Sequence, residues 1–242
     1  MKRLAYITLV ILSLLLIIPS AIRAAAPTPS PAPTAAPPES AAEKQFVGSV
    51  TSDLQSRFAT TSQASAAGYF QYTDEDETGA ISWVNTSNWQ SDQQHPSQLW
   101  YDVKGRLIGA DFSVLQNGAN PPRPSLWGIS PARWIDFSPA HVHFAIKTTS
   151  GLKFGGAGVK TMAKVGGSVD NPTTADIVKI ANLPRVMKRL GITAPVSASD
   201  VAFIFKFPAI WDLQVWLVPN PLGAFAEHNP NVVPSAAAKE QD

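Results

Sequence analysis

The apolar residues change period partway along the chain, and that change limits the fold more than any other feature. Phe46, Val50, Leu54 and Phe58 recur every four residues, which makes one stripe of an amphipathic helix. Ser40 followed by Glu43 has capping-box spacing and places the helix start there. From Tyr69 onward the period drops to two. Residues 69–72 and 81–84 read as short strands, and residues 98–103 and 106–114 as a hairpin. Asp102 and Gly105 suit its tight turn, the aspartate bonding local backbone and the glycine taking positive φ. Further along, His141–Thr148 alternates as a strand, and residues 151–167 read as glycine-rich and irregular. Thr173 with Asp176 opens a second helix near 174–190, which Pro184 should kink or restart and Gly191 should stop. Residues 201–207 and 213–218 read as a closing strand pair. Helix, many strands, helix, strands is the order of an α+β fold with a mostly antiparallel sheet.

The first forty residues follow different rules. Lys2 and Arg3 precede an uncharged run over 4–18, then Pro19 and the small residues around Ala24, the order of a secretion signal over 1–24. The same stretch approaches the roughly 20 apolar residues that cross a bilayer, so a retained anchor is the alternative, and only then would a membrane be a partner. Either way the remainder is expected outside the cytoplasm, periplasmic or secreted. Residues 25–40 are rich in proline and alanine and read as a disordered spacer, residues 41–231 as one globular domain, and 232–242 as a disordered tail.

Removing the leader with its three basic residues leaves 16 bases against 18 acids. A net charge of −2 gives no footprint for nucleic acid. No cysteine is present, which excludes disulfides, thiolate ligands and thiol catalysis.

Chemistry concentrates on the strand at 141. Val142, Phe144 and Ile146 share one face; His141 and His143 share the other. Imidazoles at i and i+2 lie about 7 Å apart at the backbone, close enough for their ring nitrogens to converge on one ligand. A divalent transition metal is the cofactor this suggests, with Asp136 and the more distant His95, Glu227 and His228 as candidate third ligands. Most of the seven tryptophans are expected in the core; Trp127 and Trp134 lie in the proline-rich loop region and are the two candidates for an exposed platform that would bind a sugar or other flat ligand, with packing the favoured alternative. Two nucleotide- or hydrolase-like strings fail on inspection. Residues 155–161 lack the glycine before the lysine of a phosphate loop, and 166–170 lack the closing glycine of a nucleophile elbow.

Asp136, a proline-containing turn, and the alternation ending in His143 and Phe144 give segment 131–144 a resemblance to a family of uncharacterised exported bacterial domains. Members of that family often carry His and Asp where this chain has Pro139 and His141. The resemblance implies an exported β-rich domain and no mechanism. Three functions remain open from the sequence. They are a non-enzymatic domain binding an envelope or extracellular ligand through His141 and His143, a metal-dependent or serine hydrolase, and a structural protein of the cell envelope.

Overall fold

Ser40 caps the first helix as its spacing requires: its side chain accepts from the Glu43 amide, while the Glu43 carboxylate accepts from the Ser40 amide. Helix α1 (Ala41–Phe58) buries the Phe46, Val50, Leu54 and Phe58 stripe, and a single turn, α2 (Thr61–Ala66), follows. The computed structural model describes residues 34–239, which fall within one compact unit. The leader expected over 1–24, much of the spacer and the last three residues lie outside the described residues. Among the described residues, no helix is long and apolar enough to cross a membrane.

Four strands come next: β1 (Phe70–Glu75), β2 (Ile81–Val84), β3 (Gln98–Tyr101) and β4 (Leu107–Leu115). The β3–β4 turn has the chemistry its residues dictate. Asp102 Oδ1 accepts from the amides of Lys104 and Arg106, and Gly105 sits at φ +73°. Then come β5 (Ile135–Asp136), β6 (His141–Thr148), β7 (Gly151–Gly158), and helices α3 (Val159–Lys164), α4 (Thr174–Ala181) and α5 (Pro184–Leu190). Strands β8 (Val201–Phe207) and β9 (Ile210–Trp216) close the fold. Two antiparallel sheets result, one of six strands in the order β1-β2-β3-β4-β9-β5 and one of three in the order β7-β6-β8. The fold is α+β.

The elements stack in layers. Helix α1 packs on one face of the six-stranded sheet, against Leu99, Phe112, Leu213 and Val215. The opposite face of that sheet meets the three-stranded sheet through Tyr72, Val84, Phe207 and Ile210. Val142, Phe144 and Ile146 point away from that contact and pack on the helices α3 to α5.

Three expectations need correction. The closing strands do not pair. β8 hydrogen-bonds to β6 and β9 to β4, because Pro208 and Ala209 carry the chain from one sheet to the other. Residues 151–167 are not irregular but form β7 and α3. Gly155 is the cross-strand partner of Phe144, whose ring an added Cβ would meet at 2.6 Å. The second helix restarts at Pro184, one of the two outcomes expected, with α4 ending at Asn182 and α5 starting anew. Finally, the described part of the tail is docked. Val232 packs with Trp100, Ile108 and Trp216, the Ser235 amide donates to Glu75 at 2.8 Å, and the Lys239 ammonium pairs with Asp74. The end of the spacer is held as well: the Ala36 amide donates to Leu222 O at 2.8 Å and Arg133 donates to Pro37 O at 2.7 Å.

Candidate functional site

The alternation of β6 puts His141 and His143 on the inner face of the small sheet, where the large sheet covers them. Each is half-buried. On the β8 side His141 stacks on Phe207 (centroids 4.8 Å, 17°) and His143 on Phe205 (5.4 Å, 19°). Tyr72 reaches across from β1 and meets the His143 ring edge-on at 4.8 Å. On the β7 side the cross-strand partners are Gly158 for His141 and Gly156 for His143. The pair therefore stands between an aromatic wall and a strip of bare backbone.

Nε2 of His141 lies 2.9 Å from Nε2 of His143. Nδ1 of His141 lies 3.0 Å from the Pro139 carbonyl oxygen and 3.2 Å from Ser138 Oγ. A carbonyl oxygen can only accept, so the hydrogen-bond network puts the proton of His141 on Nδ1 and leaves Nε2 with its lone pair. That lone pair accepts from the Nε2–H of His143 at 2.9 Å. Burial, with His141 adding to it, pushes the His143 pKa down to about 3, and burial lowers His141 as well. Both rings are neutral at physiological pH.

The other residues singled out by sequence lie elsewhere. Asp136 is exposed on β5, where it accepts from Gln116 Nε2 at 2.8 Å. His95 is exposed and bonded to Asp92, beside an open cleft of about 590 Å³ lined by Arg57, Tyr69 and Asn88. His228 pairs weakly with its neighbour Glu227. No group of three or more His, Asp or Glu side chains able to hold a metal occurs among the described residues. Trp134 is fully buried, so it is core and not a platform. Trp127 takes a left-handed φ of 57° in a turn with Gly128, and its half-buried ring stacks on Phe46 (5.5 Å, 6°). One side of it borders a cleft of about 430 Å³ shared with Asp53 and Gln94. Ser168 bonds the Asp170 amide, and Asp170 pairs with Lys206.

Sequence reading missed a second polar cluster, on the large sheet behind Tyr72. Asp111 on β4 and Asp212 on β9 are both buried. Trp100 Nε1 donates to Asp111 Oδ2 at 2.8 Å, and the Tyr72 hydroxyl donates to Gln98 Oε1. Asp111 Oδ1, Asp212 Oδ2 and Gln98 Nε2 have no hydrogen-bond partner among the described residues. Burial pushes the Asp212 pKa up to about 8; burial, reinforced by the Asp212 charge, drives Asp111 well up too. Comparison of the chain with protein-family models, with curated proteins and with solved structures gave no match.

Proposed function

We propose that this is an extracytoplasmic, non-enzymatic binding domain that holds a divalent transition-metal ion through His141 and His143. One observation carries the reading: the two Nε2 atoms face each other at 2.9 Å while the Pro139 carbonyl holds the opposite nitrogen of His141, so an ion that displaces the proton from His143 Nε2 meets both rings. A metal-binding imidazole characteristically donates its other ring N–H to a carbonyl or carboxylate, which fixes the ring and frees the ligating nitrogen. The export leader read from the sequence supports the location.

Ser138, 3.2 Å from His141 Nδ1, favours a serine hydrolase as the second reading. A catalytic base needs a lone pair on the nitrogen that faces the nucleophile. Here that nitrogen carries the proton held by Pro139, so the basic nitrogen of His141 faces His143 and not Ser138. The binding function therefore stands ahead of the enzyme.

Elemental analysis and calorimetric titration with Cu(II), Ni(II) and Zn(II), on protein free of chelator and histidine tag, test the proposal. We expect one equivalent per chain in the native protein and none in His141→Ala/His143→Ala, with the two melting alike within a few degrees. Absence of binding for all three ions would return the histidines to a purely structural role in the contact between the sheets.

A further inference from the structure

Trp127 occupies a position that local chemistry would give to another residue. The Ile129 amide donates to Leu126 O at 2.9 Å, closing a tight turn whose central residues, Trp127 and Gly128, take φ of 57° and 72°. Two successive positive values are the pattern of a type I′ turn, which favours Asn, Asp or Gly at its first central position. Trp127 is the one non-glycine residue with a positive φ among the described residues. A bulky side chain held there is strained, and such strain gathers at ligand clamps and active sites. The ring is fixed on its inner side. Phe46 stacks on it at 5.5 Å and 6°, and Phe112 meets it edge-on at 5.7 Å. It stays half-buried all the same, and its remaining surface borders the cleft of about 430 Å³.

That cleft and the larger one of about 590 Å³ flank a single bridge. Arg57 on α1 donates to Gln94 O in the loop between β2 and β3; Asp53 and Gln94 line the smaller cleft, Arg57 and His95 the larger. The charges along both are already paired, Arg57 with Asp53 and His95 with Asp92. A charged ligand therefore finds no spare countercharge. What remains is amide and hydroxyl, with Ser49, Gln93 and Gln94 beside Trp127 and Asn85 and Asn88 beyond the bridge. Side-chain amides both donate and accept, which is the complement of a ligand rich in hydroxyl groups.

We propose that this groove binds a neutral oligosaccharide, with one sugar ring stacked on the face of Trp127 opposite Phe46 and the following units passing the Arg57–Gln94 bridge toward His95. The apolar C–H face of a sugar suits a rigid indole, and its hydroxyl edge suits the amides around it. Both clefts fall in the size range of small-molecule sites. The proposal is independent of the metal reading, since His141 and His143 line neither cleft.

Calorimetric titration with cellotetraose, chitotetraose and maltotetraose tests it. We expect millimolar or tighter binding of at least one of the three, weakened about tenfold in Trp127→Ala and largely kept in Trp127→Tyr. Trp127→Ala also removes packing on Phe46, so Gln93→Ala/Gln94→Ala supplies a second reading. Both of its side chains are exposed; the melting curve should stay where it is while the affinity falls about fivefold. His141→Ala/His143→Ala should bind as the native protein does, which separates this groove from the histidine site. No binding of any of the three at millimolar concentration overturns the proposal, and so does an affinity unchanged in Trp127→Ala or in Gln93→Ala/Gln94→Ala.

Discussion

Asp111 and Asp212 are the residues most at odds with their surroundings. Two carboxylates buried on neighbouring strands cannot both ionise cheaply, and each has an oxygen without a partner among the described residues. Their raised pKa values make a sign-definite statement about stability. Between the unfolded carboxylate range near ~4 and about 8 for Asp212, the folded state keeps protons that the unfolded chain has released. Stability from the pair is complete below that window and is lost as pH rises through it. Glu43 acts in the other direction. The Arg133 hydrogen bond holds its carboxyl down to about 2, so its contribution is present above the ordinary carboxylate value and is lost as pH falls toward 2. The thermal midpoint should therefore peak at mildly acidic pH and decline from pH 5 to pH 9, and Asp212→Asn should flatten the alkaline limb. A midpoint that rises over that range would mean the pair is ionised and neutralised by a bound cation.

At the scale of strands, both sheets use one device, an aromatic ring lying over a cross-strand glycine. In the large sheet it is Trp100 over Gly109, in the small one Phe144 over Gly155. An alanine Cβ at 109 would come within 2.1 Å of the Trp100 ring. Gly109→Ala should therefore cost about 1–3 kcal/mol, the range for overpacking a filled core, whereas Gly156→Ala, whose Cβ would meet nothing closer than 3.8 Å, should cost far less in the same urea titration. What could be read in advance follows the same division between local and distant. The Ser40 and Glu43 cap, the Asp102 turn and the alternation of β6 are set by residues a few positions apart, and they stand as expected. The partners of β8 and β9 depend on contacts far apart in sequence, and nothing local marks the switch of sheet at Pro208. The histidine pair was legible because i and i+2 on a strand must share a face. Its aromatic wall was not, because Phe205 and Phe207 come from another part of the chain, and the burial of Asp111 was not, because no local signal announces it.

Both ends of the described chain close onto the domain. The C-terminal segment covers Trp100 and Trp216 with Val232 and supplies Ser235 to the buried Glu75 carboxylate. Truncation after Asn231 uncovers that apolar surface and strips Glu75 of two donors. Chemical denaturation should register a loss of about 3–6 kcal/mol, from one buried valine side chain and a charged hydrogen bond. An unchanged midpoint would mean the segment merely lies on the surface. The N-terminal side meets the domain differently. Ala36 bonds Leu222, Glu39 accepts from the Ala224 amide, and Arg133 grips the carbonyls of Pro37 and Pro38. All of these lie ahead of the first turn of α1. A pulling force applied upstream of Ala36 would load these bonds in shear, against the loop that follows β9, before it reached the helix. Under tension the domain would meet the strain first at the loop after β9, and α1, tied to the domain by its packed stripe and by the Glu43–Arg133 and Gln55–Leu217 bonds, would be spared from peeling away first.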